Sequence, residues 1–107
     1  MRLAKELAES LAVTIKSKIS PLDYNGKNNI YLFGSRVDDF KKGGDIDLLL
    51  LTTVEIKNAL KTQKHILLEE LRQAAGDQRV DLTIKTHDEA STDPFVKSLK
   101  LIQIANF

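Results

Sequence analysis

The sequence predicts a single α/β domain in which short apolar strands alternate with amphipathic helices. Three observations lead there. Leu3, Leu7, Leu11 and Ile15 recur at four-residue spacing, the period of one helix face. Ile30-Tyr31-Leu32-Phe33 and Leu48-Leu49-Leu50-Leu51 are apolar throughout and short, as expected of strands covered on both faces. Val80, Leu82 and Ile84 alternate with Asp81, Thr83 and Lys85, the period of a half-exposed strand.

Composition bounds the function. A length of 107 residues with 42% apolar content fits one domain, residues 1–107, that buries roughly two-thirds of its unfolded surface. It leaves no room for a separate acceptor-binding domain. Sixteen basic against fifteen acidic side chains give a net charge of +1, so no overall field holds duplex nucleic acid or an anionic membrane. Phosphate recognition, if any, must be local. The absence of Cys removes disulfides, thiolate metal sites and thiol nucleophiles together. The longest apolar run is too short to span a bilayer, and Met1-Arg2-Leu3-Ala4-Lys5-Glu6 is charged where a signal peptide would be apolar, so a cytoplasmic protein is expected.

Each element has its own signal. The first helix, with Ala4, Ala8 and Ala12 beside its leucines, is stopped by Ser20-Pro21. Asn25-Gly26 signals a turn before the first strand, Ile30 to Phe33. A second strand is expected from about Asp45 to Leu51, followed by a capping box of Thr52 and Glu55. Ile56, Leu60, Leu67 and Leu71 then share a helical face up to Gly76; the polar stretch Asn58 to His65 leaves open whether this is one helix or two. Arg79 to Lys85 is the third strand. Thr86 to Asp93 reads as a polar loop, after which Asp93 as N-cap and Pro94 open a final helix carrying Phe95, Leu99 and Ile102. The apolar tail through Leu101, Ile104 and Phe107 either packs on the domain or forms a partner surface.

The chemistry concentrates where the first two strands meet their loop. Side chains alternate along a strand, so Asp45 and Asp47 project from one face while Ile46 turns to the core. Two adjacent carboxylates repel unless a proton or a hard cation neutralises them, and Mg²⁺ prefers one or two carboxylates plus phosphate oxygens. Gly34 permits close backbone approach at the end of the first strand, Ser35 offers a hydroxyl and an N–H, and Arg36 a planar donor, together a place for phosphate. Lys41 and Lys42 are further cations within the same loop. If the third strand neighbours the second, Asp81 joins Asp45 and Asp47 as a third metal ligand. Two Mg²⁺ ions roughly 4 Å apart would then serve nucleotidyl transfer from a nucleoside triphosphate, with Asp81 also able to take the acceptor proton.

These residues have plainer readings as well. Asp45 is also a turn residue after Gly43-Gly44, Asp81 alone is an ordinary solvated position, and Arg36 equally pairs with Asp38 or Asp39. His65 falls on the solvent side of its helix, and His87 is a lone histidine beyond the third strand. Neither is assigned a role.

The combination Leu32-Phe33-Gly34-Ser35-Arg36, Gly44-Asp45-Ile46-Asp47-Leu48 and Val80-Asp81-Leu82 resembles the minimal nucleotidyltransferases of the DNA polymerase β-like superfamily over nearly the whole chain. The resemblance implies the nucleotidyltransferase fold, a small mixed β-sheet flanked by helices. It maps Gly34 and Ser35 onto the phosphate motif and Asp45, Asp47 and Asp81 onto the metal triad. It further implies an antitoxin that transfers AMP from ATP to a tyrosine of a partner HEPN ribonuclease toxin. Where relatives carry an Arg-Gly pair after the Gly-Ser, this chain has Asp38-Asp39, acidic residues that weaken triphosphate binding. Two alternatives accompany that expectation: a nucleotidyltransferase acting on a small molecule, as in antibiotic-modifying relatives, and an antitoxin that neutralises its partner by binding alone.

Overall fold

The computed structural model describes residues 5–22, 27–33 and 45–107. They form α1 (Lys5–Ile19), β1 (Asn29–Phe33), β2 (Ile46–Thr52), α2 (Val54–Lys61), α3 (Lys64–Ala74), β3 (Val80–Thr86), α4 (His87–Thr92), α5 (Pro94–Ser98) and β4 (Ile102–Asn106). The strands make one mixed sheet in the order β3-β2-β1-β4, with β1 antiparallel to both β2 and β4 and β2 parallel to β3. The expected α/β architecture, a small mixed sheet flanked by helices, is therefore present.

Alternation decides which side chains fill the core. Ile46, Leu48 and Leu50 of β2, Ile30 and Leu32 of β1, and Val80 and Leu82 of β3 share one sheet face. That face is closed by Leu11, Ile15 and Ile19 of α1, Ile56 and Leu60 of α2, and Leu67 and Leu71 of α3. Parallel neighbours require a crossover, and α2 and α3 supply it between β2 and β3. The polar stretch divides the helix: α2 ends at Lys61, and α3 begins at Lys64. Gly76 ends α3 with φ of 65°, a left-handed conformation that Gly adopts freely. The opposite sheet face is not open either, because Leu49 is fully buried on it. There α4 packs on β2 and β3, Lys85 of β3 pairs with Asp93 at 3.1 Å, and Phe95 of α5 meets Phe33 of β1.

Three expectations are corrected. Thr52 is the last residue of β2, and the N-cap of α2 is Thr53, whose side chain accepts from Ile56 N. The strand runs one residue further because the buried Thr52 hydroxyl donates to Asn28 Oδ1 at 2.6 Å. Residues 87–92 are helical: a capping box joins Thr86 and Glu89 reciprocally, and it starts a helix with no buried side chain and hence no apolar period. The final helix stops at Ser98, and Ile102 lies in β4, against the free edge of β1. A bulge between Ile30 and Tyr31 lets Ile102 pair with Leu32 and Ala105 with Ile30, so the apolar tail packs on the domain's own core. No helix among the described residues is long and apolar enough to cross a membrane.

Asn28 ties the end of the chain to the sheet. Its N–H and side-chain amide both donate to Phe107 O, at 2.8 and 3.2 Å, while Phe107 N donates back to Asn28 O at 2.9 Å. Thr52→Val removes the hydroxyl donated to this buried amide, and a cost of about 1–3 kcal/mol is expected. Urea denaturation should show the midpoint falling with an unchanged m-value.

Candidate active site

Parallel pairing of β2 with β3 places Asp47 and Asp81 as Cα partners. Neighbouring strands lie about 4.8 Å apart, and residues in register on them project to the same face. Residues 45–52 and 79–86 are brought together by the apolar partners that flank the acids: Ile46 pairs with Val80 and Leu48 with Leu82, all buried. A shift of one residue in either strand would bury a carboxylate and expose an aliphatic side chain, so the core itself fixes this register.

The charge responds to that proximity. Burial first, then the charge of Asp81, then that of Asp45 raises the Asp47 carboxyl above its ordinary value of 3.8. Asp45 lies just before β2, half exposed, with Oδ2 4.0 Å from Arg79 Nε. Arg79 occupies the corresponding place before β3, and its carbonyl accepts from Ile46 N at 3.0 Å. An exposed pair at that distance contributes little, so turning Asp45 from Arg79 towards a cation is inexpensive. The sequence alone gives Arg79 no role; only the pairing of the strand starts reveals it as the neighbour of Asp45.

The donor set of Asp45, Asp47 and Asp81 suits a hard divalent cation, being all carboxylate oxygen with excess negative charge. As the side chains lie, no three acidic, imidazole or thiol groups among the described residues are gathered closely enough to hold a metal ion. A triad would require side-chain rotation about a backbone that has Asp47 and Asp81 in register and Asp45 just before β2. Gly34, Ser35 and Arg36, together with Asp38, Asp39, Lys41 and Lys42, lie outside the described residues. In the sequence Gly34 directly follows Phe33, the last residue of β1 and the Cα partner of Asp47.

No family model, curated protein or solved structure matches this chain. The chain's own residues therefore define the site. Among these, His65 is exposed as expected, and His87, the first residue of α4, has Nε2 2.7 Å from Lys27 O. Lys27 precedes β1, at the opposite end of that strand from Phe33, so His87 belongs to the far end of the sheet.

The raised Asp47 carboxyl has a consequence for stability. The folded state keeps a proton that the unfolded chain has lost, so ionisation of Asp47 destabilises the fold increasingly from pH 3.8 upward and fully above its raised value. Asp47→Asn should raise the melting temperature at pH 7, by an amount on the order of a few degrees. The gain should vanish as pH falls below 3.8. Calorimetric melts across pH read the difference, and an equal gain at every pH would assign it to something other than charge.

Proposed function

We propose that this protein is a Mg²⁺-dependent nucleotidyltransferase that moves AMP from ATP to a protein hydroxyl, specifically a tyrosine of a cognate HEPN ribonuclease toxin, acting as its antitoxin. The observation that carries the reading is the register pairing of Asp47 with Asp81 on adjoining parallel strands, with Asp45 two residues away and Phe33-Gly34-Ser35 leading off from the partner of Asp47. The acceptor and the AMP donor come from the sequence resemblance, which is what supports that part of the reading.

In this mechanism the acceptor oxygen attacks the α-phosphorus, the bond from that phosphorus to the bridging oxygen breaks, and pyrophosphate leaves. Bound Mg²⁺ supplies charge neutralisation for the triphosphate and for the departing group. Asp45 and Asp47 hold the metal of the triphosphate tail. Asp81 would join Asp45 and Asp47 in holding a second ion, and its carboxylate would take the proton of the acceptor hydroxyl. Gly34 and Ser35 cradle phosphate oxygens with N–H and hydroxyl groups, and Arg36 adds a charged donor.

The crowding of charge on Asp47 favours this reading over a decorative acidic patch. A carboxylate that is costly to ionise alone becomes favourable once a cation shares it. A second reading, neutralisation of the partner by binding without catalysis, draws on the engagement of Asp45 with Arg79 and on the acidic pair Asp38-Asp39.

Incubation with labelled ATP, Mg²⁺ and the product of the neighbouring gene should transfer label to that partner. Asp47→Asn and Asp81→Asn should each reduce the rate by at least about a hundredfold, and EDTA should abolish it. Metal-dependent ATP affinity without transfer to the partner would turn attention to a small-molecule acceptor. Absence of metal-dependent nucleotide affinity would leave only the binding role.

A further inference from the structure

Among the described residues, the large apolar side chains left exposed are Val13, Leu22, Val54, Ile66 and Phe95. Phe95 is the aromatic one, with 47% of its surface exposed. Its location is specific. The ring meets Phe33 edge to face, with centroids 6.0 Å apart and planes at 86°. Phe33 is in turn the Cα partner of Asp47, and directly opposed residues of an antiparallel pair lie about 4.5–5.5 Å apart on the same face. Phe95 and the paired carboxylates therefore belong to one sheet face, with Phe33 between them.

The ring is also held in place. Asp93 Oδ1 accepts from Phe95 N at 2.8 Å, its other oxygen pairs with Lys85 of β3, and the adjacent Val96 is buried. Burial of Val96 and the edge contact with Phe33 account for the docking of α5. They leave much of the Phe95 ring in solvent beside a site of high negative charge. An aromatic ring kept there by a cap and an ion pair, about half of it exposed, offers π-surface to a ligand.

We propose that Phe95, backed by Phe33, is the shelf on which the nucleobase of the bound nucleotide stacks. The proposal rests on the nucleotidyltransferase reading and adds the base-binding residue. With the triphosphate held through the metal at Asp45, Asp47 and Asp81, the flat apolar end of the nucleotide is the part of matching chemistry. A phenyl ring has no hydrogen-bonding edge, so the shelf recognises the flat ring of a base more than its identity.

The test uses the full chain with Mg²⁺ and two ligands, ATP and inorganic tripolyphosphate, which carries the phosphates without a base. Phe95→Ala should weaken ATP binding about 5- to 100-fold and leave tripolyphosphate affinity unchanged. The chain contains no Trp, so Phe95→Trp provides a site-specific fluorophore. This variant should retain ATP affinity, with emission quenched by ATP and not by tripolyphosphate, and it decides the matter should Phe95→Ala fail to fold. ATP affinity unaltered in Phe95→Ala, equal losses for both ligands, or unquenched indole emission from Phe95→Trp with ATP bound would each overturn the shelf. Retained ATP affinity with lost transfer would place the acceptor on the ring, also against the proposal. If the unsubstituted protein binds neither ligand with Mg²⁺, the nucleotidyltransferase reading falls and the shelf falls with it.

Discussion

The in-register parallel pairing of β2 with β3 is the constraint on which the rest of the molecule turns. It puts Ile46, Leu48 and Leu50 beside Val80, Leu82 and Ile84 on the core face, and the same register sets Asp47 beside Asp81 on the other. Hydrophobic burial is non-directional, but a pleated strand converts it into direction, because fixing alternate aliphatic residues fixes the residues between them. The acids are thus brought together by the leucines, and against their own repulsion.

That arrangement divides labour between the two sheet faces. The face under α1, α2 and α3 holds almost all the buried aliphatic side chains, and its stability tolerates an unfavourable charge on the other. The second face is closed only in part, where α4 contacts β2 and β3 and where α5 reaches Phe33. Neither small helix has an aliphatic stripe; α4 buries no side chain and α5 buries Val96 alone. Polar ties add to these few apolar contacts, with Glu89 accepting from both Thr86 N and Lys57 Nζ and Asp93 bridging Phe95 N to Lys85. Each of these carboxylates is held below its ordinary range, chiefly by the lysine it accepts from. Glu89 and Asp93 are therefore each satisfied by a cation of the chain, whereas the charged form of Asp47 is disfavoured.

Much of this is legible from the residues, because the signals are periodic. The strict alternation from Val80 to Ile84 and the continuous apolar run from Leu48 describe β3 and β2 closely, since burial on one face and on two leaves different patterns. The pairing of Asp47 with Asp81 needs in addition that these strands be parallel neighbours in register. What escapes are elements too short to establish a period. Phe95, Leu99 and Ile102 are spaced as on one helix face, yet Leu99 is extended at φ −82° and ψ 144°, and the chain continues as an edge strand. The deciding influence there is the unfilled edge of β1, a tertiary property absent from the local sequence. In α4 the sequence does contain its own signal, the Thr86 to Glu89 capping box, hidden because the surrounding residues are uniformly polar.

The electrostatics of Asp47 link architecture to chemistry. Where a carboxylate exists to stabilise a fold, the usual solution is a lysine or arginine nearby, as at Glu89, Glu69 and Asp93. At the starts of β2 and β3 the available arginine, Arg79, lies 4.0 Å from Asp45, and the acids on either side of Asp47 add repulsion. Replacing Asp47 by an uncharged residue would relieve the fold, so its presence there is better explained by a ligand than by folding. Under the proposed function a divalent cation would meet that requirement and reverse the sign of the local field, which would make the site attractive to phosphate. Repulsion among the acids and the proposed affinity for a metal-bound anion would then be two consequences of one placement of charge.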